Sequence, residues 1–210
     1  MAAGARGAIE GAVLLGGRSR RMGRDKAGLV VAGVPCAERV ARALAEVCDA
    51  VWLVGGEPPE AAPGRRVPDP AGPRCSLRGL VAALDACETE YLLVCATDLP
   101  LVTPTFLRAL AAAPPADAVV PRDAAGLHPL CARYRVAALR GPAHARLAAG
   151  DTLSLRGLLD AVETHPLEGD ALAAADPEGR ALLNVNTREE LRRAEAWLAA
   201  SDGGRETGSG

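Results

Sequence analysis

The chain has 210 residues, a formal net charge of −2 and an apolar fraction of 49%. This length fits one ordinary domain with a short tail. The near-neutral charge gives no overall attraction to nucleic acid or to an anionic membrane, and we expect neither as a partner. A site for an anion must therefore come from a local cluster of Arg and Lys.

Cysteine usage and apolar runs bear on the cellular compartment. The six cysteines are scattered and no two have C-x-x-C spacing, which argues against a structural zinc site or a redox pair. Residues 1–7 lead into no apolar stretch with a cleavage site, and no run approaches the roughly 18 apolar residues that span a bilayer. We expect a cytoplasmic protein.

The first half of the chain alternates short aliphatic strands with amphipathic helices. Only 2% of the residues are aromatic, so the core must consist of Ala, Leu and Val, which suits a parallel sheet between helices. The connection 57–73 is rich in Pro and Gly, and connections of this length are often functional loops. The predicted elements are strands at 12–15, 51–54 and 91–96 and helices at 37–47 and 77–86.

The second half continues this alternation. Pro104 suits the first turn of a helix, whereas Pro129 cannot donate a ladder hydrogen bond, so its strand is expected near a sheet edge. Thr187 and Glu190 form a T-x-x-E capping box for a last helix that reaches about residue 200. The other predicted elements are strands at 118–120, 128–134 and 181–185 and helices at 136–149 and 154–161.

Together these elements predict one α/β domain, a three-layer Rossmann-like fold in which helices flank a mostly parallel, twisted sheet. The domain is expected to span residues 9–200, after an N-terminal tail of residues 1–8. Residues 201–210 are polar and rich in glycine, and we expect them to form a disordered C-terminal tail.

A loop with adjacent glycines and many cations follows the first strand, between Leu14 and Lys26. Gly16 and Gly17 let backbone amides approach a ligand closely and point together, which makes an anion-binding nest. Five cationic side chains lie between Arg18 and Lys26, and a triphosphate carries several negative charges for such donors. The pattern indicates a triphosphate site; a solvated loop whose arginines face water is the alternative.

Two familiar phosphate loops do not fit this segment. A P-loop requires Lys followed by Ser or Thr after its last glycine, but Gly23 is followed by Arg24. A dinucleotide loop requires G-x-G-x-x-G, and the run from Gly16 to Arg20 breaks that spacing. The sequence therefore argues against a P-loop NTPase and against a nicotinamide-dependent oxidoreductase.

The run G-x-V-L-x-G-G-x-S-x-R-M-G-x-D-K, from Gly11 to Lys26, closely resembles the signature of molybdenum cofactor guanylyltransferases. These enzymes are MobA-like nucleotidyltransferases. Four shorter motifs continue the resemblance in chain order, so that it covers roughly residues 8–200. They are Val67-Pro68-Asp69, Thr97-Asp98-Leu99-Pro100, His128-Pro129-Leu130 and the run from Asn184 to Leu191.

The resemblance implies that the first loop binds the nucleotide. The backbone at the end of the first strand would hold the nucleoside, and the glycine and arginine residues after it would wrap the phosphates. These nucleotide-binding residues are Leu14, Leu15, Gly16, Gly17 and Arg18.

The resemblance also implies three catalytic residues. Lys26 and the loop arginine Arg21 would stabilise the charge that grows on the α-phosphate and on the departing pyrophosphate. Asp98 follows a buried strand, where ligands bind in open α/β sheets, and would hold Mg²⁺ against the triphosphate. A turn residue or helix N-cap at Asp98 is the alternative to metal binding.

The remaining motifs are expected to contact the base, the metal or the acceptor. Asp69 can accept two hydrogen bonds from the N1–H and N2–H₂ groups of guanine, and a plain loop aspartate is the alternative. Asn186 could complete the metal's water shell or contact the second substrate, unless it caps the last helix together with Asn184. His128 is either a substrate contact or a structural histidine.

Three positions depart from the family's pattern. Leu15 places a larger side chain beside the nucleoside, Gly55 stands where the family has an asparagine, and Arg78 replaces a small residue. All three lie on the base and ribose side, so they leave the choice of nucleotide open.

By resemblance, the protein transfers GMP from GTP to the terminal phosphate of a molybdopterin-type cofactor and releases pyrophosphate. Transfer of CMP, or of another nucleotide to another small phosphorylated metabolite, is the related alternative. A non-catalytic carrier of nucleotide or pterin cofactor is the alternative of another class. Transient contacts with proteins of cofactor biosynthesis or molybdoenzyme maturation are also expected, whereas the oligomeric state is not readable from the sequence.

Overall fold

The computed structural model describes residues 8–15, 29–68, 72, 75–150 and 154–203. Ten strands form within these residues: β1 Ile9–Leu14, β2 Val30–Val31, β3 Val34–Pro35, β4 Val51–Val54, β5 Arg65–Val67, β6 Tyr91–Ala96, β7 Ala118–Asp123, β8 Gly126–Leu127, β9 Cys131–Arg135 and β10 Thr164–Leu167. Seven helices accompany them: α1 Cys36–Ala45, α2 Ser76–Ala86, α3 Pro104–Ala112, α4 Val136–Ala149, α5 Leu155–Leu159, α6 Gly169–Ala175 and α7 Arg188–Gly203.

Eight of the strands form one mixed sheet, whose main path runs β10-β7-β9-β6-β1-β4-β5, with β8 paired to β7. Strand β1 is paired in parallel with both β4 and β6, and β4 with β5. Strand β9 runs antiparallel to its two neighbours, β6 and β7. The carboxyl ends of β1, β4, β5 and β6 therefore lie along the same side of the sheet.

Apolar layers cover both faces of the sheet, because side chains alternate along each strand. Val13 belongs to the layer that packs with α1 and α3, whereas Ala12 and Leu14 belong to the layer that packs with α2 and α4. A smaller apolar cluster joins α7 to the hairpin of β2 and β3. The predicted three-layer α/β fold is thus confirmed.

Most of the predicted elements are present, with small shifts at their ends. Strands β4 and β6 and helix α4 have the predicted bounds. Pro104 occupies the first turn of α3, where Thr103 accepts a hydrogen bond as the N-cap. Helix α7 ends at Gly203, slightly beyond the predicted position. Residues 1–7 and 204–210, in the two predicted tails, lie outside the described part of the chain.

Two predictions about secondary structure are wrong. Residues 181–185 form turns and irregular backbone rather than a strand, although Ala181 and Val185 are buried. Strand β9 lies inside the sheet, between β6 and β7, and not near its edge as predicted. The sheet accommodates it there since Pro129 precedes the strand and takes no part in its ladder. Strand β5, within the connection 57–73, was not among the predicted elements.

Two elements near the end of the described domain were not predicted. They are strand β10, which pairs with β7, and helix α6, which follows it. Within the described residues, the helices lack the length and the apolar character required to cross a membrane.

Candidate active site

The ends of three neighbouring strands define the candidate site. Leu14, at the end of β1, is in register with Val54 of β4 on one side and with Ala96 of β6 on the other. The residues that follow these strands therefore meet along one line, which we call the carboxyl edge. In open α/β sheets, ligands bind outside the carboxyl ends of the strands.

Two hydrogen bonds fix the backbone where the predicted phosphate loop begins. The Leu15 N–H donates to the Val54 carbonyl oxygen at 2.9 Å, and the buried Thr97 hydroxyl donates to the Leu14 carbonyl oxygen at 2.9 Å. Gly56 has a φ of +49°, and a Cβ placed there would lie only 3.1 Å from the Leu15 Cβ. The chain at residues 14–15 is therefore held from both neighbouring strands.

The expectation for the Leu15 side chain is wrong. Instead of lying beside a ligand, it is 1% exposed and packs in the apolar layer with α1. Leu14 is likewise 5% exposed and packs in the opposite layer. The larger side chain at residue 15 thus serves the core, so this departure from the family's pattern says little about the nucleotide.

Asp98 lies in the turn after β6, on the carboxyl edge and next to the end of β1. It is not a helix cap, since the N-cap of α3 is Thr103. Asp98 lies near the start of α1, because Cys36 packs in one apolar cluster with Val185, whose N–H donates to the Asp98 carbonyl oxygen. Burial raises the pKa of the Cys36 thiol to about 12; the Asp98 carboxylate adds to that rise and Arg39 opposes it.

The segment from Asn184 to Thr187 lies beside Asp98. The Val185 N–H donates to the Asp98 carbonyl oxygen at 2.8 Å. This hydrogen bond joins the N-V-N-T motif to the D-x-P motif at the carboxyl edge, although the two are far apart in the sequence. Asn184 and Asn186 precede and follow the joining residue, Val185. Asn184 is exposed and Asn186 is half-buried.

The predicted capping box of the last helix is confirmed. The N–H groups of Asn186 and Thr187 donate to Glu190 Oε2 at 2.7 and 2.8 Å, and the Glu190 N–H donates to Thr187 Oγ1 at 3.2 Å. Slight burial favours the neutral form of Glu190, but these hydrogen bonds outweigh it and lower the pKa of that carboxyl. The side-chain oxygen that caps α7 is thus that of Thr187, and the box anchors the backbone beside Asp98.

The H-P-L step also reaches the carboxyl edge. The Ala96 N–H donates to the Leu130 carbonyl oxygen at 2.7 Å, only two residues before Asp98. The His128 side chain is 14% exposed, and its Nε2 lies 2.8 Å from Asp123 Oδ1. This contact closes the hairpin of β7 and β8, as expected for a structural histidine.

Asp123 is a residue of this region that the sequence did not single out. Partial burial would raise the pKa of its carboxyl, but His128 and the N–H groups of Ala125 and Gly126 lower it overall. The aspartate followed by a glycine-containing turn is a hairpin signal that could have indicated this arrangement.

The remaining predicted site residues lie outside the described part of the chain. They are Gly16, Gly17, Arg18, Arg21, Lys26 and Asp69. The structure does describe residues that flank them: Leu15 before the first loop, Leu29 after it, and Val67 before Asp69.

The hairpin that follows the first loop is tied to α1. The Cys36 N–H donates to the Leu29 carbonyl oxygen at 2.8 Å, and the Arg39 guanidinium donates to the Val31 carbonyl oxygen from both Nε and Nη2, at 3.0 and 2.9 Å. The start and the end of the predicted phosphate loop are therefore both fixed next to Asp98, one through β1 and the other through the amino end of α1.

Residues 11–165 match the family model of the MobA-like NTP transferase domain. The chain belongs to the MobA-like NTP transferase family. It is therefore an enzyme of the nucleotidyltransferase type, and enzymes of this kind generally use a divalent metal ion.

Several members of this family are similar to the chain over nearly its whole length. A probable molybdenum cofactor guanylyltransferase of Chloroflexus aggregans is 34% identical, over 92% of this chain and 97% of the relative. One from Mycobacterium avium is 36% identical, over 88% and 93%. The molybdenum cofactor guanylyltransferase of Desulfosudis oleivorans is 30% identical, over 92% and 97%.

Solved structures share the fold. Molybdopterin-guanine dinucleotide biosynthesis protein A from Archaeoglobus fulgidus superposes with a TM-score of 0.74 and 24% identity, over 91% of this chain and 99% of that one. 2-C-methyl-D-erythritol 4-phosphate cytidylyltransferase from Thermus thermophilus gives a TM-score of 0.66 and 19% identity, over 90% and 98%. Both confirm the Rossmann-like nucleotidyltransferase fold.

Proposed function

We propose that the protein transfers GMP from GTP to the terminal phosphate of a molybdopterin-type cofactor and releases pyrophosphate. The names of the family members that are 30–37% identical support this activity. The observation that carries the proposal for the site is the Val185–Asp98 hydrogen bond of 2.8 Å. It brings the N-V-N-T motif to the backbone of Asp98, the residue that lies opposite the start and the end of the cationic loop.

In the proposed reaction, an oxygen of the acceptor phosphate attacks the α-phosphorus of GTP. A new P–O bond forms as the bond to the oxygen that bridges the α- and β-phosphorus atoms breaks, and pyrophosphate leaves with that oxygen. The acceptor phosphate is already a nucleophile, so the protein contributes position and charge neutralisation rather than a covalent intermediate. We assign that neutralisation to Lys26 and to the loop arginines, including Arg18 and Arg21.

The residues near Asp98 fit Mg²⁺ as the metal. Carboxylate and amide oxygens, such as those of Asp98 and Asn186, are hard ligands, and Mg²⁺ is usually held by one or two carboxylates together with substrate phosphates. Among the described residues, no group of three His, Cys, Asp or Glu side chains could hold a metal ion, so phosphate oxygens and water would complete the shell. When bound, the ion supplies positive charge against the triphosphate.

The choice of base is assigned to Asp69. A carboxylate that accepts from N1–H and N2–H₂ selects guanine over adenine, which lacks that pair of donors. It also selects guanine over cytosine, so this assignment separates GMP transfer from the CMP-transferring alternative. The neighbouring backbone supports a fixed base site, since the Gly55 N–H donates to the Val67 carbonyl oxygen at 2.9 Å.

The test is incubation of the protein with Mg²⁺, molybdopterin and each of the four nucleoside triphosphates in turn. With GTP we expect pyrophosphate and a product whose mass is that of molybdopterin plus a guanylyl group. Turnover with CTP instead would identify the related activity, and tight nucleotide binding without pyrophosphate would identify a carrier. Cytoplasmic location and contacts with other cofactor-biosynthesis proteins remain predictions.

A further inference from the structure

Thr97 and Asp98 share one turn at the carboxyl edge. They are the two central residues of the β-turn that follows β6, and the Leu99 N–H closes this turn by donating to the Ala96 carbonyl oxygen at 3.3 Å. The dihedral angles of the two central residues together define a β-turn. Any contact that fixes Thr97 therefore also limits where Asp98 lies.

The side chain of Thr97 is fixed to the neighbouring strand. Thr97 is 3% exposed, and its hydroxyl donates to the Leu14 carbonyl oxygen at 2.9 Å. Leu14 is the last residue of β1 and is also buried. A buried acceptor that loses its donor is not compensated by water, so this hydrogen bond is costly to break.

This hydrogen bond extends the link between β1 and β6. The parallel ladder of the two strands ends at the pair of Leu14 and Ala96, and the Thr97 hydroxyl joins β1 to the residue that comes next. Asp98 follows directly, and its carbonyl oxygen accepts from the Val185 N–H at 2.8 Å. The turn is thus held by β1 on one side and by the N-V-N-T motif on the other.

The two contacts differ in how they depend on the sequence. The Val185–Asp98 hydrogen bond joins two backbone groups, so any residue other than proline at position 185 can donate it. The bond to Leu14 comes from the hydroxyl of Thr97. Valine has nearly the shape of threonine but cannot donate it, whereas serine can.

We propose that Thr97 is a positioning residue for nucleotidyl transfer. Its hydroxyl ties the end of β1, which is expected to hold the nucleotide, to the turn that carries the metal-binding Asp98, and so sets the spacing between them. The inference rests on the proposed function. Transfer between two phosphates depends on such spacing, because a misplacement of about 1 Å can cost about 100-fold in rate.

Steady-state kinetics of the Thr97→Val protein test this role, with the nucleoside triphosphate that the wild-type protein uses and with Mg²⁺ varied. We expect kcat to fall about tenfold and the KM for the nucleotide to change less than about threefold. The Mg²⁺ concentration for half-maximal rate should rise about threefold, since a displaced carboxylate holds the ion less well. Wild-type kcat and Mg²⁺ dependence in this variant would overturn the inference.

Two further substitutions of Thr97 separate its hydroxyl from its shape. Thr97→Ser keeps the donor and should stay within about twofold of the wild-type kcat. Thr97→Ala removes the donor without placing a methyl group against the Leu14 carbonyl, and should be slow like Thr97→Val. A Thr97→Ser protein as slow as Thr97→Val would show that packing of the side chain matters and not its hydrogen bond, which would contradict the proposal.

Thr164→Val is the matched control. The Thr164 hydroxyl donates to the Leu159 carbonyl oxygen, also at 2.9 Å, but Thr164 is the first residue of β10. Because β10 runs in the same direction as β6, this bond lies towards the amino edge. Thr164→Val should therefore leave kcat and the Mg²⁺ dependence unchanged, and a loss equal to that of Thr97→Val would reduce the effect to general destabilisation.

A measurement without nucleotide or Mg²⁺ tests the link itself. Amide hydrogen exchange of residues 14–15 and 97–99 should be faster in the Thr97→Val protein than in the Thr164→Val protein. Equal exchange would show that the hydroxyl does not hold the two segments together and would overturn the inference. If the wild-type protein transfers no nucleotide, the proposed function fails, whereas a normal kcat of Thr97→Val in a protein that does transfer one overturns only the role of Thr97.

Discussion

The two ends of the central sheet place charged residues in different surroundings. At the amino edge, where β1 and β6 begin, Ile9 and Tyr91 help to line a cavity of about 500 Å³. Arg133 is 3% exposed there and donates to the carbonyl oxygens of Ala111, Ala113 and Pro114 at 3.0, 2.8 and 2.6 Å. Its guanidinium lies 4.6 Å from the centre of the Tyr91 ring.

Arg133 therefore caps the carboxyl end of α3, where unpaired carbonyls and the helix dipole favour a cation. Burial lowers the pKa of the Arg133 guanidinium, while the nearby Tyr91 and Glu90 oppose that shift. At the carboxyl edge the connecting hydrogen bonds instead join motifs through their backbones, as between Val185 and Asp98. The charge of Arg133 at the amino edge therefore supports the fold, and we propose that the charges at the carboxyl edge support the reaction.

The largest effect is expected for Asp98→Ala, at the carboxyl edge. Loss of the metal-binding carboxylate should lower Mg²⁺-dependent turnover by about 1,000-fold. The free energy of unfolding should change by less than about 1 kcal/mol, because the backbone carbonyl that accepts from Val185 remains. Pyrophosphate release measures the first effect and denaturant unfolding the second. Near-normal release would remove the metal assignment.

Lys26→Ala should lower kcat by about 100-fold, since a positioned cation near the departing pyrophosphate contributes on this scale. The KM for GTP should change less than kcat if the charge acts mainly in the transition state. Single-turnover rates measure this directly, and Arg42→Ala, which removes an exposed cation from α1, is the control. A rate that matches the wild-type protein would exclude the proposed role.

Arg133→Met should have the opposite profile. Removal of the guanidinium leaves the three carbonyls at the end of α3 without this donor, and we expect the protein to lose about 2 kcal/mol of unfolding free energy. When the assay temperature is 20 °C below the melting midpoint of the variant, its kcat and KM should stay near the wild-type values. A large change in the KM for GTP without a loss of stability would contradict the structural role of Arg133 at the amino edge.

Thr187→Ala should give the smallest change. It removes one of the hydrogen bonds of the capping box, and we expect about 1 kcal/mol of destabilisation in thermal or urea unfolding. Thr105→Ala, at an exposed position inside α3, is the control and should change stability less. Equal effects of the two substitutions would argue that the box contributes nothing specific.

The fold was predictable where burial and local sequence agree. Strand β6 and helix α4 are bounded by turn residues and have clear apolar patterns, so their predicted bounds are confirmed. Strand β5 was missed because it has three residues and begins with two exposed arginines. The prediction of a strand at 181–185 was wrong because an apolar run can be buried in irregular backbone as well as in a strand.

The candidate site was predictable from its motifs, but its connections were not. The sequence singled out Asp98 and Asn186 without showing that Val185 joins them. The contacts of Arg133 with α3 and of His128 with Asp123 have no periodic signal in the sequence, because each depends on how distant or looped segments meet. Placement at one edge of the sheet is therefore what the structure adds to the motifs.

The most direct test of the account is a crystal structure of the protein with Mg²⁺ and a non-hydrolysable GTP analogue. We predict that the triphosphate lies at the carboxyl edge, between residues 16–28 and Asp98, with the metal bound to the Asp98 carboxylate. A nucleotide bound in the cavity at the amino edge, beside Tyr91 and Arg133, would contradict the assignment of function to the carboxyl edge.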